Sequence, residues 1–187
     1  MSSLSIQPSA PPRTSRPPPQ DPQRFGSYEI IRKLGEGGMG TVYEARRVDL
    51  EKRVALKVLT QVEGPSVTAR FLQEARIAAS LDHPHVVNCI DLGQHHGTAY
   101  LAMEFLEGET VRERIERSPL TPTEAVDLIL PVCSALALAH DQGIIHRDIK
   151  PENIFLARRL NDIVPKVLDF GIAKSVSSTA RPGVTQT

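Results

Sequence analysis

The stretch His146-Arg147-Asp148-Ile149-Lys150-Pro151-Glu152-Asn153 puts a carboxylate base, a cation and a metal-ligand side chain within eight residues. An apolar helical pattern from Ala125 to Ala139 stops at Gly143. A strand-like pair, Ile144-Ile145, then leads into the cluster, and the apolar run Ile154-Phe155-Leu156 follows it. A polar loop pinned at both ends by buried segments is a common way to hold reacting groups rigidly. An Asp-x-Lys by itself is more often a solvated loop, so the weight falls on what accompanies it.

Three further sets accompany it. Gly35-Glu36-Gly37-Gly38-Met39-Gly40 follows a strand pattern from Tyr28 to Leu34 and precedes the β-prone run Thr41 to Ala45. A dinucleotide fold needs a helix directly after its glycines, and that reading fails here. A second strand pattern, Arg53 to Leu59, makes the unit a hairpin whose glycine tip can lie over phosphates. Without Cβ atoms the backbone N–H groups approach the oxygens closely. Lys57 sits in the apolar alternation Val54, Leu56, Val58, where an ammonium is costly unless paired. The helix pattern Ser66 to Leu81 offers a partner, because Glu74 shares the apolar face of Phe71 and Ala78. The third set is Lys166 to Gly171, a short strand ending in Asp169-Phe170-Gly171.

The elements that position these groups read as an α+β arrangement. Residues 1–27 form a Pro-, Ser- and Arg-rich tail, expected to be disordered because it cannot bury enough apolar surface. Strands are expected at Val86 to Leu92 and Thr98 to Phe105, joined by the turn Gly93 to Gly97. His95 and His96 in that turn lack matching metal ligands nearby. Leu106 to Glu109 is a connector and Thr110 to Arg117 a short helix. Thr121-Pro122-Thr123-Glu124 is a capping box with proline at the first helical position. The helix it opens is apolar nearly all round, which predicts burial on most sides, and Pro131 predicts a kink.

The composition is that of an ordinary globular chain of 187 residues, 40% hydrophobic and 24% charged. Its 22 basic and 22 acidic residues cancel, giving no bulk attraction to nucleic acid or anionic membrane. Cys89 and Cys133 lie in apolar runs and read as reduced core residues of a cytoplasmic protein. Asp127, Pro131 and Ser134 interrupt the longest apolar stretch, so no membrane segment is expected.

In order, Gly35-x-Gly37-x-x-Gly40-x-Val42, Val54-Ala55-Leu56-Lys57, Glu74, His146-Arg147-Asp148 with Asn153, and Asp169-Phe170-Gly171 resemble the signature set of protein kinases. Gly-Glu-Gly-Gly-Met-Gly and Ile-Lys-Pro-Glu-Asn are similar to the eukaryotic-like serine/threonine kinases of bacteria. The resemblance runs from Tyr28 to Thr187. It implies a two-lobe fold: a five-stranded antiparallel lobe with one helix over residues 28–106, and an incomplete helical lobe over 107–187. It implies ATP and Mg²⁺ as cofactors and protein Ser/Thr hydroxyls as acceptors. Leu34, Gly35, Gly37 and Gly40 would cover the nucleotide, Val42, Ala55 and Phe155 would enclose adenine, and Met103 would be the gatekeeper. Backbone groups of Glu104 and Leu106 would hydrogen-bond adenine. Lys57, oriented by Glu74, would meet the α- and β-phosphates, and Asn153 and Asp169 would hold Mg²⁺. Asp148 would take the hydroxyl proton and Lys150 would contact the γ-phosphate. Thr185 and Thr187 resemble activation-loop phosphorylation sites.

Pro131 and Phe155 depart from the family pattern. No Ala-Pro-Glu follows the activation loop, and the later large helices are missing. The sequence is therefore expected to be a truncated domain, partly folded in isolation. A non-catalytic nucleotide-binding module is the alternative reading.

Overall fold

The computed structural model describes residues 24–37, 40–59, 68–69, 72–73, 75–76, 79–160 and 162–170. Six strands form one antiparallel sheet in the order β1-β2-β3-β4-β6-β5. They are β1 (Arg24–Phe25), β2 (Tyr28–Gly37), β3 (Gly40–Arg47), β4 (Lys52–Leu59), β5 (Cys89–His95) and β6 (Thr98–Glu104). The expectation was five. β1 lies inside the stretch read as tail, and it forms because Phe25 packs edge-on against His95 and Tyr100, with ring centroids 4.9 and 5.8 Å away. Described residues 68–69, 72–73, 75–76 and 79 are helical, within the expected helix.

Register assigns the two faces of the sheet, because side chains alternate along a strand. Val42 pairs with Lys57, Glu44 with Ala55, and Ala55 with Met103, so Val42, Ala55, Lys57 and Met103 share one face. Tyr43, Ala45, Val54, Leu56 and Ala102 take the other and pack with Tyr28. The two ends of the sheet meet through side chains. The Tyr28 hydroxyl donates to Asp91 Oδ2 at 2.7 Å, and the Tyr100 hydroxyl donates to the same oxygen at 3.1 Å.

β5 starts at Cys89, later than expected. Upstream, Val86 forms an isolated parallel bridge to Val167, and the Val87 N–H donates to Val167 O at 3.0 Å, which draws this stretch toward the second sheet. That sheet, β7 (Gly108–Thr110), β8 (Ile154–Arg159) and β9 (Asp162–Val167), is antiparallel in the order β7-β8-β9.

Between β7 and β8 lie two α-helices, α1 (Val111–Arg117) and α2 (Pro122–Asp141). α2 carries the expected Thr121–Glu124 capping box; α1 has a second one, from Thr110 and Glu113. α2 ends in a Schellman motif: Gly143, at φ 74°, donates to His140 O at 2.9 Å, and Ile144 donates to Ala139 O at 2.8 Å. Ile144 is thereby spent on the helix end, and Ile144-Ile145 forms no strand.

α2 is one uninterrupted helix through Pro131. Its buried residues are Val132, Ala135 and Ala139, a single stripe rather than burial on most sides. Val126, Ile129 and Leu130 are exposed, and so is Cys133, which corrects its reading as a core residue. By length and composition alone α2 is also long and apolar enough to cross a membrane, although Asp127, Pro131 and Ser134 interrupt it; its buried stripe packs with Ile154, Leu156 and Val167.

Candidate active site

The polar loop after α2 is built around a buried imidazole. His146 Nδ1 accepts the Asp148 N–H at 3.3 Å, so Nε2 carries the proton and donates to Leu168 O at 2.8 Å. Burial lowers the pKa of this ring, and it packs at a tilt against Phe170 with centroids 4.9 Å apart. One neutral side chain therefore ties the loop to the segment that ends in Asp169. Arg147, at φ 62°, makes the sharp bend that turns Asp148 out of this core.

A 3₁₀ turn, Pro151–Asn153, brings Asn153 back onto Asp148. Asn153 Nδ2 donates to Asp148 O at 2.8 Å and to Asp148 Oδ2 at 3.2 Å. Its amide oxygen is left facing away from those contacts. Leu168 N–H donates to Asn153 O at 2.8 Å, which places Asp169 beside the turn. Lys150 Nζ lies 3.0 Å from Asp148 Oδ2, and that hydrogen bond raises the lysine pKa. Glu152 is held by Arg112 of α1 at 2.9 Å. The loop thus presents one carboxylate, Asp148, flanked by an amide and an ammonium.

Across from it, Lys57 Nζ donates to Asp169 Oδ2 at 2.6 Å. Asp169 has φ 47°, a left-handed conformation that aims its carboxylate toward the sheet. Glu74, expected to orient Lys57, lies outside the described residues. So do Thr185 and Thr187.

The glycine hairpin closes the site above. Gly35 and Gly37 end β2 with open space where a Cβ would stand. Gly40 pairs with Gly37 and has φ 156°; a Cβ there would lie 2.1 Å from Val58 O, so position 40 accepts no side chain. Leu34 precedes these glycines and is exposed. Val42, Ala55 and Met103 line the face beside Lys57, and behind Met103 a small apolar cavity reaches Cys89, Leu101, Asp169 and Phe170. Glu104 N–H is taken by Asn88 O at 2.9 Å, which leaves its carbonyl, not its N–H, to serve a ligand. Leu106 lies in the connector between β6 and β7. Phe155 is paired with Lys166 and so shares its face of the second sheet.

The contiguous loop was legible as a site in the sequence. Two contacts were not: the Lys57–Asp169 pair, and an ion pair between Lys166 and Glu104 at 2.6 Å. Both join residues far apart in the chain, and neither has a local spacing to betray it.

Residues 28–187 match the family model described as the protein kinase domain. The chain is similar to serine/threonine-protein kinase pkn2 of Myxococcus xanthus, 40% identical over 163 residues, covering 86% of this chain and 20% of that protein. It is similar to serine/threonine-protein kinase PrkC of Bacillus subtilis, 43% identical over 157 residues, covering 82% of this chain and 24% of that protein. Among solved structures it is similar to the Mycobacterium tuberculosis PknI kinase domain, with a TM-score of 0.74 and 28% identity over 87% of this chain and 68% of that chain. The chain thus spans about a quarter or less of the length of these two curated relatives.

Proposed function

Because the chain belongs to the protein kinase domain family and has the two-lobe kinase fold, we propose that it transfers the γ-phosphate of ATP to serine or threonine hydroxyls of protein substrates. The observation that carries the reading is the convergence of Asp148, Asn153 and Lys150 in one hydrogen-bonded loop, opposite the Lys57–Asp169 pair. Phosphoryl transfer asks mainly for positioning and electrostatic stabilisation.

In this reading residues 28–106 form the nucleotide-binding lobe and 107–187 the part of the second lobe that carries the catalytic loop. Gly35, Gly37 and Gly40 approach the phosphates with backbone N–H groups, with Leu34 at the rim. Val42, Ala55 and Phe155 enclose adenine beneath the gatekeeper Met103, while the Glu104 carbonyl and Leu106 N–H hydrogen-bond its edge. Lys57, turned by Glu74, moves from Asp169 to the α- and β-phosphates. Asp169 and the amide oxygen of Asn153 are hard oxygen donors of the kind Mg²⁺ takes. A bound Mg²⁺ would offset charge on the phosphates. Asp148 accepts the acceptor hydroxyl proton, and Lys150, already beside Asp148, neutralises the γ-phosphate. Thr185 and Thr187 are the proposed phosphorylation sites, where a phosphate would pair with Arg147.

The uncovered apolar residues of α2 favour a second reading, nucleotide binding without turnover, since that helix supports the catalytic loop. One assay separates the two. The full chain is incubated with radiolabelled ATP, Mg²⁺ and a generic protein substrate, beside Asp148→Asn. The expected result is phosphoserine or phosphothreonine, falling roughly 10²- to 10⁴-fold in the variant. Label incorporation equal in both proteins would overturn the assignment of Asp148. ATP binding with no transfer by the wild type would leave the second reading.

A further inference from the structure

Lys166, outside the catalytic set, joins the two sheets through a buried charge. It lies on β9 and is 5% exposed. Its ammonium donates to Glu104 Oε1 at 2.6 Å and to Val86 O at 3.1 Å. Glu104 is the last residue of β6, immediately before the connector that leads to β7. The same carboxylate accepts the Asn88 N–H at 2.9 Å and Arg159 Nη2, from β8, at 2.9 Å. With the Glu104 N–H already bound to Asn88 O, this residue is fixed through both its backbone and its side chain. The connector itself is tied down further along, where Arg158 N–H donates to Glu107 O at 2.7 Å.

An apolar side chain of similar length would fill the Lys166 site with no desolvation cost. Buried ion pairs seldom add net stability over such a replacement, but they define geometry, because a misplaced partner leaves an uncompensated charge. Here the geometry defined is that of the segment leaving β6. Carboxylate, ammonium and the Val86 carbonyl are satisfied together only when the second sheet meets the first at one angle.

We propose that Lys166 is a positioning residue for adenine: by holding the Glu104 carboxylate it sets the peptide groups of Glu104 to Leu106 against the base. This rests on the reading that those groups bind adenine. The phosphate end of the site, Lys57 and the glycine hairpin, makes no contact with Lys166, Glu104, Arg159 or Asn88 among the interactions described above. Lys166 therefore acts on the base and not on the phosphates.

That separation supplies the test. The full chain, Lys166→Met and Lys166→Arg are titrated calorimetrically with ATP and with inorganic tripolyphosphate, each with Mg²⁺. Lys166→Met should weaken ATP binding about tenfold, the scale of a coupling between contacting groups, and leave tripolyphosphate binding unchanged. Lys166→Arg, which restores the cation, should recover most of the ATP affinity. An equal loss for both ligands, or undiminished ATP affinity in Lys166→Met, overturns the assignment. Should Lys166→Met not fold, Glu104→Gln carries the same comparison, since it keeps the shape and removes the charge. A wild-type chain that binds no ATP would overturn the nucleotide reading, and this assignment with it; undiminished ATP affinity in the variant overturns the positioning role alone.

Discussion

Gly35 and Gly40 are equivalent in the sequence motif and different in the folded chain. A methyl group on Gly35 meets open space, whereas on Gly40 it meets the Val58 carbonyl at 2.1 Å from a φ of 156°. Gly40→Ala should therefore cost about 1–3 kcal/mol, the scale of a strained backbone, and Gly35→Ala should stay within about 0.5 kcal/mol of wild type. Thermal unfolding of the two variants checks this, and equal shifts would mean that the Val58 carbonyl does not constrain position 40. The same contrast shows what single residues disclose. Asp148, Lys150 and Asn153 stand within six positions of one another, so their cooperation could be read directly. For Lys57 helical spacing pointed to one acidic partner, Glu74; that Lys57 reaches Asp169, 112 residues away, depends on the left-handed turn at Asp169. Nothing local marks Lys166 as buried, since a lysine at a strand end ordinarily faces water.

At the scale of elements, the stretch between the described helical turns and β5 docks on both α2 and β9 through two histidines. His85 Nδ1 donates to Pro165 O at 2.8 Å, and His83 Nε2 meets Ser134 Oγ at 3.3 Å. Burial first, then His85 and Lys166, hold the His83 imidazole below its ordinary value of 6.5, with Asp82 opposing. On acidification the unfolded chain takes up this proton before the folded chain does. The contribution is constant above about pH 6.5, falls as pH drops below it, and levels off once the folded ring also protonates. His83→Asn should therefore lose less Tm than wild type between about pH 7.5 and about pH 5.5, the range in which an ordinary histidine titrates. A loss as large in the variant would remove His83 from the account. Element types were largely legible, because capping boxes and strand alternation are local signals. Boundaries moved where long-range contacts intervened: Val86 left its expected strand for Val167, and Ile144 was taken by the end of α2. The α2 pattern misled in the opposite sense, since an all-round apolar sequence says how much could be buried and not how much is.

For the molecule as a whole, α2 leaves Val126 51% and Leu130 61% exposed on one side. Contiguous exposed apolar surface promotes association. Leu130→Glu should raise the monomeric fraction in size-exclusion chromatography while leaving Tm nearly unchanged, because little burial is lost; a marked fall in Tm would mean that Leu130 is covered in solution. The other molecular feature is the way the larger sheet meets itself at Tyr28 and Asp91, residues 63 positions apart. β2, β3 and β4 follow one another through short turns, as do β5 and β6, so their pairings close small loops. The Tyr28–Asp91 contact closes a long one, and the entropy of that closure must be met before the contact returns anything. The local hairpins should accordingly form first, with this contact made after the rate-limiting barrier. A bond absent from the transition state governs how fast a protein comes apart rather than how fast it assembles. Tyr28→Phe should then steepen the loss of folded chain in stopped-flow unfolding and leave the refolding rate where it was, so that the join between the sheet's ends sets the lifetime of the lobe rather than its speed of formation.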